Sequence, residues 1–150
     1  DRIENQYLNR STPTATARLI ETFFENRLFA SKYKKFLIRI MTETSTGQDK
    51  LKSLLPPDCT VGHKTGSSDR TSTGVKIADN DAGFVLTPDG KRYYIAVFVS
   101  DSQEDDPTNA SIIARISAIV YDFMIRPTDP NRPTLCRPES VSADDAAGSP

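Results

Sequence analysis

Lys64, Thr65, Gly66 and Ser67 stand together in one short run, VGHKTGSSDR (61–70), directly after an apolar stretch. In an extended strand alternate side chains share a face, so Thr65 and Ser67 point the same way. Two hydroxyls at that spacing beside the Lys64 ammonium form a compact receptor for a carboxylate. Gly66 leaves the backbone bare for a ligand to approach, and the Ser67 N–H is then placed to donate to an oxyanion. The same residues also describe a strand running out into a polar turn, and three residues alone do not separate the two readings. Catalysis further requires a nucleophile.

The whole chain bounds what else is possible. Its 150 residues suit one domain with a sizeable core. A net charge of −1 gives no electrostatic footprint for nucleic acid or an anionic membrane. No apolar run approaches the roughly 18–20 residues of a membrane-spanning helix. The opening DRIENQYLNR has neither a starting Met nor the basic-then-apolar pattern of a signal peptide, which leaves export open. Cys59 and Cys136 make no disulfide framework, and with His63 the single histidine, no His/Cys zinc site is expected. No cofactor is implied.

The elements that must position the 64–67 cluster follow from periodicity. Ser11 to Phe29 opens with a polar cap candidate and Pro13, then places Ala15, Leu19, Phe23 and Ile20, Phe24 at helical spacing, which predicts a helix over about 12–29. A second helix fits KYKKFLIRIMTET, with an apolar stripe of Tyr33, Phe36, Leu37, Ile40 and Met41, and Gly47 breaks the chain after it. KLKSLLPP reads as a helical turn stopped by Pro56 and Pro57. CTVGHKTG and DAGFVLT are strands, and the PDG turn at 88–90 leads into a third, KRYYIAVFVS. Residues 110–124 predict an amphipathic helix that covers the sheet with Ile112, Ile113, Ile116, Ile119, Val120 and Phe123, preceded by Pro107 and Thr108. From Arg126 onward there are five prolines and almost no apolar residues, which describes a disordered tail over 125–150. The fold class is α+β: an antiparallel sheet flanked by helices, with too few strands for a free-standing unit.

K-T-G belongs, with S-x-x-K and S-D-N, to the motif set of serine β-lactamases and penicillin-binding proteins. TSTGQDKLKSLLPPDCTVGHKTGSSDR resembles the stretch of class A β-lactamases in which a TG turn and an LP loop lead into the K-T-G strand. NDAGFVLTPDGKRYYIAVFVSDS is similar to their next two strands, NASIIARISAIVYDFM to their terminal helix, and NRSTPTATARLI to the start of the helix after their Ω loop. The resemblance covers residues 1–124 in order, and is closest to the Bacteroides-type and related cephalosporin-hydrolysing branch. It implies that Lys64 holds its ammonium near the active-site hydroxyls and the carboxylate of a β-lactam antibiotic. Thr65 and Ser67 then bind that carboxylate, and the Ser67 backbone N–H is half of the oxyanion hole. Lys50 stands where some members carry an arginine that reaches the same carboxylate, although lysine lacks the bidentate fork. A monomer, and a periplasmic or secreted location, go with the resemblance.

Other members of the motif set are missing. The only Ser with a Lys three residues on is Ser31, followed by Lys34, which falls downstream of the Ω-loop remnant and in the wrong order for the family. S-D-N is absent, and ADNDA lies after the K-T-G strand. Glu4 and Asn9 mimic the deacylation motif, but the spacing is one residue too long and STP follows Asn9 at once. The resemblance therefore describes the C-terminal part of such an enzyme, expected to be inactive without the N-terminal part of the same domain. A penicillin-binding peptidase fragment and a non-catalytic truncated product are the alternatives; the Ω-loop exit and the TG…LP lead-in argue against the first. His63 is expected to pack facing away from Lys64, and DSQEDD (101–106) to be a solvated loop.

Overall fold

The chain turns tightly on itself between Thr87 and Lys91. Gly90 takes φ +82°, a conformation open to a residue without Cβ, and its N–H donates to the Thr87 carbonyl at 2.9 Å. The Thr87 N–H in turn donates to the Lys91 carbonyl at 2.9 Å. This turn joins β2 (Lys76–Leu86) to β3 (Arg92–Ser102), paired antiparallel from Lys76↔Ser102 to Leu86↔Arg92. On the other side of β2 lies β1 (Thr60–Ser67), also antiparallel, in register from Thr60↔Leu86 to Ser67↔Asp79. Among the described residues, the strand order β1-β2-β3 leaves the outer edge of β1 unpaired by another strand. The computed structural model describes residues 10–25 and 30–126, so Glu4, Asn9 and the expected tail beyond Arg126 lie outside the described residues.

Register fixes what each face of the sheet carries. Val61, Val85, Tyr93, Ile95 and Val97 share one face and build the core with Leu51, Leu55 and Ile113. Leu51 and Leu55 come from the expected helical turn, and Ile113 from α3 (Asp106–Ile125). The opposite face presents Phe84 and Tyr94 to Phe24 of α1 (Pro13–Glu25), with ring centroids 4.6 and 6.0 Å apart. Between α1 and β1 in sequence lies α2 (Ser31–Thr42). The result is the expected α+β arrangement of an antiparallel sheet flanked by helices.

Two helical faces differ from expectation. On α3 the buried positions are Asn109, Ala110, Ile113, Ala114 and Ser117, while Ile112, Ile116 and Ile119 are exposed. α3 is apolar around most of its circumference, so periodicity favours the bulky isoleucines. The small side chains at 110, 114 and 117 instead let the helix axis approach the sheet closely. On α2 no residue is buried, and Tyr33, Phe36 and Ile40 are exposed along the expected stripe. Between α1 and α2 runs an apolar groove of about 450 Å³, lined by Leu19, Ile20, Phe23, Phe24, Leu37 and Met41.

The face assigned to α3 sets a measurable contrast. Ile113→Ala opens a void in the core and is expected to lower unfolding stability by about 3 kcal/mol. Ile119→Ala, at the exposed position, changes it by less than about 0.5 kcal/mol. Urea unfolding of both variants checks this, and equal losses contradict the assigned face.

Candidate active site

The candidate cluster occupies the end of β1, an outer strand of the sheet. The Ser68 N–H donates to the Ala78 carbonyl at 2.9 Å, and the Ser68 hydroxyl accepts the Ala78 N–H at 3.1 Å. Backbone groups of an antiparallel strand alternate between partner and exterior. With Ser68 turned toward β2, the Ser67 N–H therefore points out of the sheet. A Cβ added at Gly66 would meet nothing within 4 Å, so the backbone there is open to approach.

Thr65 and Ser67 share one face, as the period of two requires, and stand opposite Asp81 and Asp79 in the β1–β2 register. Lys64 lies on the other face; its ammonium donates to the Thr65 carbonyl and is exposed. The strand edge thus gathers two hydroxyls and an outward N–H on one side, with a cation flanking from the other. Preceding β1, the turn at 46–51 closes over the hydroxyl side, where the Thr46 and Thr65 hydroxyls are 3.3 Å apart.

Lys50 is placed differently from a free cation at the strand edge. It is 8% exposed, and its ammonium is bound to the Asp79 carboxylate, across from Ser67. Burial explains this: a carboxylate inside the layer between sheet and turn requires a partner, and the nearest lysine is held by it. Ser31 begins α2, but the ammonium of Lys34 donates to the Phe24 carbonyl, so no serine–lysine pair is assembled there. His63 is buried and faces away from Lys64, as expected, with Nδ1 2.8 Å from Asp81 Oδ2.

Asp79 and Asp81 are the residues that sequence reading missed. Their signal was an Asp-x-Asp repeat in a strand, hidden because β2 begins at Lys76 rather than at Asp81. The acidic run at 101–106 is also more than a solvated loop. Asp105 caps α3 by accepting the Thr108 N–H at 2.8 Å. Asp106 accepts from Lys76 at 3.0 Å and from Arg70 at 2.6 Å. Arg70 also donates to the carbonyls of Gly74 and Glu104, so the 68–75 connection is tied to the start of α3. Hydrogen bonds from Lys76 and then Arg70 hold the Asp106 carboxyl below its ordinary range. Among the described residues no group of three or more His, Cys, Asp or Glu side chains is gathered as a metal site.

A hydroxyl-lined strand edge with an outward N–H, following a TG turn and an LP loop, is an arrangement suited to binding a carboxylate and an oxyanion. The model of the β-lactamase enzyme family matches residues 1–124. The chain belongs to the β-lactamase family. A β-lactamase of Bacteroides uniformis is 57% identical over 122 residues, covering 81% of this chain and 41% of that protein. The VEB-1 β-lactamase of Pseudomonas aeruginosa is 39% identical over 122 residues, with 80% and 40% covered. The crystal structure of a class A β-lactamase from Bacteroides cellulosilyticus superposes with a TM-score of 0.74 at 62% identity, covering 76% of this chain and 41% of that one. The chain is thus homologous to class A β-lactamases and spans about two fifths of the length of these relatives.

Two outcomes follow from the charges around the site. Lys50→Met leaves Asp79 buried without its cation and is expected to cost about 3–5 kcal/mol, much of it recovered in Lys50→Met/Asp79→Leu, as read by urea unfolding. Because the Asp106 carboxyl is lowered in the folded state, its contribution to stability is complete above about pH 4 and is lost as pH falls through the lowered value. Asp106→Asn should therefore be less stable than the parent near neutrality, with the gap closing in acid; a gap that stays constant with pH contradicts the pairing.

Proposed function

We propose that residues 1–124 form the C-terminal part of a class A serine β-lactamase, in the Bacteroides-type cephalosporin-hydrolysing branch. The reaction is hydrolysis of the β-lactam ring through a serine acyl-enzyme. A serine oxygen adds to the lactam carbonyl, the C–N bond opens, the ring nitrogen takes a proton, and water then cleaves the ester. This chain supplies one wall of that site. Thr65 and Ser67 bind the substrate carboxylate, Lys64 contributes positive charge beside it, and Gly66 leaves room for the ligand. The Ser67 N–H donates to the carbonyl oxygen as negative charge develops on it. Lys50 acts on the same site through Asp79, by neutralising the carboxylate nearest to Ser67.

The observation that carries this reading is the outward Ser67 N–H at an open strand edge, with the Thr65 and Ser67 hydroxyls on one side of it. The serine nucleophile with its lysine, the S-D-N hydroxyl and the deacylation glutamate come from the remaining part of the domain. Support for that partner lies in the uncovered apolar groove between α1 and α2 and in the exposed isoleucines of α3, surfaces that a complete domain would bury.

Complementation tests the proposal. The purified chain alone should not hydrolyse a chromogenic cephalosporin; mixed with a separately made N-terminal part of a related enzyme, it should turn the substrate over. In the mixture, Ser67→Ala removes only the hydroxyl, whereas Ser67→Pro also removes the outward N–H without taking a ladder bond and should lower kcat about 10²–10³-fold below Ser67→Ala. Turnover by the chain alone, or a Ser67→Pro mixture as active as the Ser67→Ala one, contradicts the assignment.

A further inference from the structure

His63 is the only histidine in the sequence, and it lies 1% exposed in the layer behind Thr65. Its Nδ1 is 2.8 and 3.0 Å from the two oxygens of Asp81, which is itself wholly buried. Nε2 has no partner among the described residues, so Nδ1 is the only polar anchor of the ring. The same carboxylate accepts the Leu51 N–H at 3.2 Å. One side chain on β2 therefore holds both β1 and the turn that precedes it.

That turn is moulded onto the pair. Gly47 has φ +65°, and a Cβ there would stand 2.3 Å from Thr65 Cγ2 and 3.4 Å from His63 Cε1, too close to the threonine methyl for any other residue to fit unchanged. Next to it, Thr46 sets its hydroxyl 3.3 Å from that of Thr65. Displacement of the turn thus moves the neighbour of the one hydroxyl that the proposed clamp shares with it. A histidine buried for volume alone has no need of a two-oxygen contact. A carboxylate buried here without a donor opposite would instead draw the turn apart in search of water.

We propose that His63 and Asp81 are positioning residues: a buried latch that holds the 46–51 turn against β1 and so fixes where the Thr65 hydroxyl stands. Its functional consequence rests on the β-lactamase reading of this strand edge, in which an ångström of misplacement in a binding group can cost on the order of 100-fold in rate. The latch itself is a property of the chain's own geometry.

Amide hydrogen exchange of the ¹⁵N-labelled full 150-residue chain tests it, with Leu51 as reporter and the Ile113 amide in α3 as reference. In the parent the Leu51 amide should be protected. His63→Leu keeps the bulk but removes the donor, and should speed Leu51 exchange at least about tenfold more than Ile113 exchange, with a shift of the Thr65 methyl resonance. His63→Asn returns an N–H close to the Nδ1 position and should keep Leu51 within about threefold of the parent. An unprotected Leu51 in the parent, equal acceleration of Leu51 and Ile113 in His63→Leu, or an Asn variant that behaves like Leu would each overturn the proposal. Because exchange is read on this chain without turnover, the latch can fail while complementation succeeds, and the reverse.

Discussion

Asp79 and Asp81 are two residues apart on β2, so the pleat drives both carboxylates into the same buried layer. An ionised carboxylate held there without a partner costs several kcal/mol. Lys50, His63 and the Leu51 N–H meet that cost, and all three come from the 50–63 segment. This one constraint orders the region. The 46–55 turn makes no ladder with the sheet; it is held by the two acids and by the burial of Leu51 and Leu55. With the turn in place, β1 is backed on its hydroxyl side, while Lys64 on the other face stays exposed.

The other face of the sheet is built on different physics. Phe24 packs on Phe84 and Tyr94, and beside this aromatic layer the Tyr94 hydroxyl donates to Glu25 at 2.5 Å, with Arg92 at 3.2 Å from the same oxygen. The bond from Tyr94 holds the Glu25 carboxyl below its ordinary range, while burial and the same bond push the Tyr94 phenol up to about 12. This network docks α1 on β3, away from the site. Lys64 rises from this same face at the exposed end of β1, which is why its ammonium stays clear of the two buried acids. The sheet thus separates its charges, with Lys64 on one side and the Asp79 and Asp81 pairs on the other.

Much of this was legible from residue order. The three strands, the PDG turn and the shared face of Thr65 and Ser67 follow from period-two alternation and turn chemistry, which act within a few residues. The face of α3 followed only in part: Ile113 is buried and Val120 packs on the core, whereas Ile112, Ile116 and Ile119 are exposed, because apolar patterning rewards bulk. Here Ala110, Ala114 and Ser117 decide the contact by letting the helix come close. Sequence position sets Lys50 toward a substrate carboxylate because it gives the strand a lysine belongs beside but not the Asp79 carboxylate that claims it. The start of β2 was lost for a related reason: Lys76, Asp79 and Asp81 look like loop residues until their partners, 18 to 30 positions away, are known to pair with them. Local rules see residue types, whereas burial of a charge is settled by residues distant in sequence.

That distance bears on how an anion could bind here at all. Thr65 and Ser67 stand directly across one strand from Asp81 and Asp79, so the proposed carboxylate site lies within several ångströms of two acids. At an effective dielectric of 20 and a separation of about 7 Å, each unneutralised acid would oppose a ligand carboxylate by roughly 2 kcal/mol, enough to offset the net gain from a hydroxyl contact or two. The Asp79 charge is cancelled at its source by Lys50, which in the proposed site would favour an anion without touching it. Asp81 is met by the His63 ring and by a backbone N–H instead, so its field at the edge depends on those donors staying in place. A strand end that looks like a plain carboxylate clamp is thus favourable to an anion only because the layer behind it has already been balanced.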